Sequence, residues 1–294
     1  MKHTDTESDK ILNQLVASTR SPRGRFSAAA NYPRLERKLF GTKRRQWSRR
    51  FLTAAASVAL LFLSAWMAFY YLQPATMQNV STMGDTRTVH LPDGTSVTLN
   101  RYSALSYPKR FKRGSRTVRL TGEACFDVEK DQKRPFIVEA EAINVQVLGT
   151  CFNINAYPNN PCIETTLLEG SVAVGHRDKA ERLVLKPNEK AIYNKVENRF
   201  TRKMAENSSD EIAWIHGELI FASTPLKEIA QKLGNRFNVD IQIADTSLQS
   251  YRITARFPGE EPLETILSVL HKAGYFDYTR NNDKIILTVN PNIQ

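Results

Sequence analysis

The twenty-two residues from Phe51 to Leu72, FLTAAASVALLFLSAWMAFYYL, contain no charge and lie between KRRQWSRR and QPATMQNVST. A helix of that length rises about 33 Å, and the hydrocarbon core of a bilayer is about 30 Å thick, so the run predicts one membrane-spanning helix. The twenty residues before it carry Arg34, Arg37, Lys38, Lys43, Arg44, Arg45, Arg49 and Arg50, whereas the twenty after it carry only Arg87. Basic flanks stay on the cytoplasmic side during insertion, which places residues 1–50 in the cytoplasm and the rest across the membrane. A cleaved signal would have a shorter leader and a shorter apolar stretch. A buried core helix would keep a polar face over six turns. Trp47 at one end and Tyr70 and Tyr71 at the other suit the two interfaces.

The net charge of +11 suggests a nucleic-acid binder until it is divided along the chain. Residues 1–50 carry +9 and the remaining 244 carry +2, so the basic character belongs to the flank of the anchor, where anionic headgroups favour it. No zinc-finger spacing and no basic helix with heptads is present, and direct nucleic-acid binding is not expected. Cys125, Cys151 and Cys162 all follow the anchor, and their spacing suggests no metal site. An odd number allows at most one internal disulfide. Either the three are individually unimportant or Cys125 and Cys151, each directly before a Phe on a predicted strand, form a bridge.

From Thr86 to about Asn194, apolar residues alternate in short runs. Val97 and Leu99, Val118 and Leu120, Phe126 and Val128, Val145 and Val147, Phe152 and Ile154, and Val172 and Val174 are examples. Period-two burial at this density predicts an all-β domain. Pro92-Asp93-Gly94, Tyr157–Pro161 and Glu169-Gly170 mark its turns. Residues 201–212 are polar and aperiodic and read as a linker. Two helical patterns follow, one from Pro225-Leu226 with Ile229, Ala230 and Leu233 up to Gly234, the other from Pro262-Leu263 with Ile266, Leu267 and Leu270 up to Gly274. Proline at the first helical position and glycine just past the end punctuate both. Strand-like segments surround them, and the order βαββαβ(β) predicts a small α+β domain with one sheet carrying both helices on one face. Its free edges could accept a partner's strand.

The chain is thus expected to be membrane-anchored and multi-domain: a cytoplasmic segment 1–50, a transmembrane helix 51–72, a linker 73–85, an all-β domain 86–200, a linker 201–212, and an α+β domain 213–294.

Four blocks, VHLPDGTSVTLNRYSALSYP, RTVRLTGEACFDVEKD, RPFIVEAEAINVQVLGTCFNINAY and TLLEGSVAV, occur over residues 86–175 in the order found in FecR-type transmembrane anti-sigma regulators, which the exported sequence resembles. Residues 214–289 resemble the C-terminal module of such regulators in Bacteroidota-type bacteria, itself similar to the short N-terminal domains of secretins and TonB-dependent receptors. The resemblance implies an inner-membrane relay. The periplasmic signalling domain of a TonB-dependent outer-membrane receptor engages the C-terminal module, regulated proteolysis follows, and the cytoplasmic part frees an extracytoplasmic-function sigma factor. It also implies self-cleavage at Gly149-Thr150, where the threonine hydroxyl would attack the preceding carbonyl. An ordinary bulge glycine and strand threonine are the alternative.

The cytoplasmic part is shorter than the family's pattern. Ile11, Leu12, Leu15 and Val16 can form one amphipathic turn of helix, and Leu35, Leu39 and Phe40 another. These are the candidate sigma-binding residues, while Arg44, Arg45, Arg49 and Arg50 form the membrane flank. Helices this short are marginal alone and would fold on a partner; a basic tail lying against lipid is the alternative. No catalytic constellation or cofactor motif is recognisable. His3, His90, His176, His216 and His271 form no close pair, and Glu123 and Asp127, flanking Cys125, are expected to face solvent. The sequence therefore points to a non-enzymatic regulator without a cofactor, with an anchored periplasmic scaffold lacking transcriptional output as the alternative.

Overall fold

The computed structural model describes residues 10, 11, 13, 14, 38 and 39, the helix Lys43–Leu72, and residues 76–111, 114–205, 207–273 and 276–289. The chain divides into two compact units, Met1–Pro74 and Ala75–Gln294. In the first, helix α1 (Lys43–Leu72) contains the charge-free run. None of the Phe51–Phe69 stretch is buried, and Leu52, Phe62 and Trp66 are each at least 70% exposed. The helix is long and apolar enough to cross a membrane. Its hydroxyls turn inward on the backbone: Ser57 Oγ donates to the Thr53 carbonyl at 2.8 Å and Ser64 Oγ to the Leu61 carbonyl at 2.9 Å, as a hydrocarbon solvent requires.

The second unit begins with a β-sandwich. Its strands are β1 (Met77–Ser81), β2 (Arg87–His90), β3 (Ser96–Leu99), β4 (Ala104–Pro108), β5 (Arg116–Asp127), β6 (Phe136–Ala140), β7 (Ile143–Val147), β8 (Cys151–Ala156), β9 (Cys162–Glu169), β10 (Val172–His176), β11 (Leu183–Leu185), β12 (Glu189–Asn194) and β13 (Arg199–Met204). The long strand β5 belongs to both layers. Its first half pairs with β4 and, in parallel, with β6; its second half pairs with β3 and β8. Gly122 sits at the crossing with φ +89°, and a Cβ there would come within 2.8 Å of Ser103 Cα, so only glycine lets the strand change layers at this point. The inward residues predicted by alternation meet in one core, where Phe126 stacks on Phe152 at 5.1 Å.

Both stretches read as linkers contain regular structure. Within 73–85, β1 pairs with β4, and within 201–212 the chain continues β13 and enters a 3-10 helix, Ser208–His216, capped by the Asn207 side chain. Polar composition misled because β1 and β13 are edge strands, each with one paired neighbour and an exposed side, and so need few apolar residues. The Cys125–Cys151 bridge, the alternative reading of these cysteines, is not formed, and all three are free thiols.

After the 3-10 helix come β14 (Leu219–Pro225), α2 (Leu226–Phe237), β15 (Asp240–Ile243), α3 (Thr246–Gln249), β16 (Arg252–Phe257), α4 (Leu263–Ala273), β17 (Phe276–Asn281) and β18 (Lys284–Val289). The single sheet expected here is two: β14 pairs with β16, and β15 pairs in parallel with β18, which also pairs with β17. Alternation reveals which face of a strand is buried but not which strand lies beside it. Phe221 and Phe257 from one sheet, Ile285 and Leu287 from the other, and Ile229, Leu233, Ile266 and Leu270 from the helices share one core. The first helix also runs past Gly234 to Phe237, where Asn238 takes the left-handed capping position at φ 53°. Gly274 lies outside the described residues.

Candidate functional site

Gly149 and Thr150 form the corner between β7 and β8. The corner is pinned from below: the Asp131 amide donates to the Leu148 carbonyl at 2.8 Å and the Val128 amide to the Thr150 carbonyl at 3.1 Å. Gly149 has φ +153°, and a Cβ on it would stand 2.7 Å from Lys130 Cα, so the backbone of the segment that follows β5 demands glycine here. Thr150 is 5% exposed, and its Oγ1 donates to the Ser171 carbonyl at 3.1 Å. A Cβ on Gly170 would lie 3.0 Å from Thr150 Oγ1 and 3.2 Å from the Gly149 carbonyl oxygen, so the Gly170 backbone packs directly on this bond. The corner holds hydroxyl and carbonyl in a crowded, fixed place. Among the described residues no carboxylate or imidazole is hydrogen-bonded to the hydroxyl, so any attack on the carbonyl relies on backbone positioning rather than on a side-chain base.

The other predicted residues are not gathered with this corner. Ile11 and Leu39 are helical and exposed. Leu12, Leu15, Val16, Leu35 and Phe40 lie outside the described residues. Arg44, Arg45, Arg49 and Arg50 fall in the first turns of α1, with side chains outside the description.

A second feature has no signature in the sequence. The sandwich meets the C-terminal part of the same unit along a polar seam. Lys190 on β12 reaches Glu164 Oε2 on β9 at 3.0 Å and also pairs with Glu211 of the 3-10 helix. Arg101 Nη2 lies 2.7 Å from Glu260 Oε1, and Asn235 Nδ2 on α2 donates to Asn160 Oδ1 at 3.1 Å. Glu164, Lys190, Glu211, Glu228 and Lys232 line a cleft of about 200 Å³. Burial would push the Glu211 carboxyl up, but Lys232 and Lys190 beside it hold it below the ordinary carboxylate range. Burial likewise works against charge on Lys232, yet Glu211 and Glu228 keep its ammonium above the usual range.

Glu123 forms one wall of this seam, where it lines a smaller cavity with Trp214 and Arg236. The expectation that it faces solvent fails because β5 changes layers at Gly122, and residues 122–126 are all buried. Its carboxylate accepts from Asn100 Nδ2 at 2.7 Å and from Asn153 Nδ2 at 2.9 Å. Burial raises its pKa to about 7, against the opposing pull of both amides and of Lys232. Asp127 is exposed, as expected. The seam is made of ion pairs and amide contacts, with a separate apolar core on each side.

The comparisons with known proteins agree with this architecture. The profile of the FecR protein family matches residues 78–173, and the profile described as FecR, C-terminal matches residues 218–287, together more than half of the chain. A protein from Parabacteroides distasonis ATCC 8503 assigned as an anti-sigma factor, crystallised at 1.65 Å, is 29% identical with a TM-score of 0.64; the match covers 71% of this chain and 98% of that one. A 2.50 Å crystal structure of an anti-sigma factor assigned in the same organism matches with the same identity and TM-score, covering 73% of this chain and 99% of that one. No curated protein matches the sequence.

Proposed function

Since the chain belongs to the FecR family, we propose that it is a single-pass inner-membrane anti-sigma regulator, with residues 1–50 in the cytoplasm and the unit Ala75–Gln294 in the periplasm. The observation that carries this reading is the order of parts along the chain: a basic segment, an exposed apolar helix, then both FecR modules. The asymmetry of basic flanks supports the orientation. The cytoplasmic segment holds an extracytoplasmic-function sigma factor through the apolar residues around Ile11 and Leu39.

On the periplasmic side, the signalling domain of a TonB-dependent receptor engages the C-terminal module. Its two small sheets offer unpaired strand edges, to which an added strand would contribute backbone hydrogen bonds. The polar seam lets that module shift relative to the sandwich at low cost in apolar exposure. Because one membrane helix transmits conformation poorly, proteolysis relays the signal, beginning with self-cleavage at Gly149-Thr150. The regulator reading is tested by using residues 1–50 as bait for sigma factors, together with deletion of the gene. Retention of a sigma factor and altered transcription of a receptor gene support it. A bait that retains none, with transcription unchanged, overturns it.

A further inference from the structure

We propose that the basic loop after β4 rests on the anionic lipid surface in which α1 is anchored, an inference that depends on the membrane-anchor reading above. The loop, residues 109–115, reads KRFKRGS, with four basic residues and no acid. In the register of β1 and β4, Met77 is opposite Pro108, and the Lys109 amide donates to the Thr76 carbonyl at 2.9 Å. Thr76 stands four residues beyond Leu72, the last residue of α1. Four residues of chain span at most about 14 Å, whatever the orientation of the two units. The start of the loop is therefore tied to the point where the chain leaves the helix. That reach is comparable to the Debye length of about 10 Å at 0.1 M salt, so the charges feel an anionic surface at the helix end.

Phe111 fixes how the loop presents itself. Its ring is half-buried against the sandwich core, 6.1 Å from Phe136 in an edge-to-face contact. With Phe111 holding the loop down, Lys109 and Arg110 are exposed, and neither pairs with a carboxylate among the described residues. Lys112 and Arg113 lie outside the described residues and add charge by sequence alone. A lipid surface is the occupant that the chain's own connectivity brings to this spot, and its phosphates complement the charge.

The test uses the full chain in lipid nanodiscs of phosphatidylcholine alone or with about one third phosphatidylglycerol, a fraction that makes the surface clearly anionic. Hydrogen exchange is followed in the peptide covering residues 110–115. Exchange should be at least about threefold slower in the anionic discs at low salt and return to the neutral-disc rate at high salt. Lys109→Glu with Arg110→Glu should abolish the slowing, and Lys272→Glu, on the exposed side of α4, should leave it intact. Equal exchange in both discs, or slowing that survives the double reversal, overturns the proposal while leaving the anchor standing. A chain that washes off the discs refutes the anchor reading, and the proposal with it.

Discussion

Arg116 Nη1 lies 2.8 Å from Asp93 Oδ2, with the two side chains 1% and 3% exposed, deep in the sandwich. The same nitrogen donates to the Glu129 carbonyl at 2.7 Å, and Arg116 Nε donates to the Arg134 carbonyl at 3.0 Å. Asp93 also accepts from the Thr95 hydroxyl at 2.8 Å. The Pro92-Asp93-Gly94 turn is thus more than a reversal of the chain. It delivers the counter-charge for an arginine that starts the strand shared by both layers.

Removing one partner of a buried pair leaves the other charge unmatched. Asp93→Ala should therefore destabilise the Ala75–Gln294 unit by about 3–5 kcal/mol. Urea unfolding read by far-ultraviolet circular dichroism measures this, and a midpoint within error of the parent would show the pair to be dispensable.

Glu123 should make stability depend on pH. Its pKa is raised to about 7 in the folded chain, so between the ordinary carboxylate range and about 7 the folded state holds a proton that the unfolded state has released. Stability from this group is greatest at low pH and falls as pH rises through that window. The loss between pH 5 and pH 8 is about 2–3 kcal/mol, and Glu123→Gln should remove it. The comparison is the difference in unfolding free energy between parent and variant at the two pH values; parallel profiles would refute the assignment.

Lys190 neutralises two carboxylates in the seam. Lys190→Met leaves Glu164 and Glu211 facing each other and should cost about 3 kcal/mol, concentrated where the sandwich meets the C-terminal part. Hydrogen exchange should rise in the 3-10 helix and in α2 while the sandwich core stays protected. Uniform loss of protection would mean that the seam is not a separable contact.

Self-cleavage at the β7–β8 corner predicts two fragments, residues 1–149 and 150–294, on a denaturing gel of the purified chain. Thr150→Ala should leave the chain whole, because the attacking oxygen is gone, while Thr150→Ser, which keeps a hydroxyl at the same place, should restore some splitting. A parent chain that stays intact rules the reaction out.

How much of this was legible differs from element to element. Val97, Phe126, Val145 and Phe152 advertise their burial by alternation, and all are buried in the sandwich. Glu123 is hidden because alternation breaks at a layer change that depends on Ser103, nineteen residues upstream of Gly122, making room for it. The strands β1 and β13 are hidden because an edge strand needs few apolar residues.

By itself the sequence determined the charge-free apolar helix, the alternating strands and the two amphipathic helices, since each follows from the order of apolar residues along a few turns or a few pleats. Only the tertiary structure decided that the C-terminal strands divide into two sheets and that Asp93 serves Arg116. It alone placed Lys190 between Glu164 and Glu211, and the Lys109 amide on the Thr76 carbonyl. Those are pairings between distant parts of the chain, and a local pattern fixes which side of an element is buried without fixing what it is buried against.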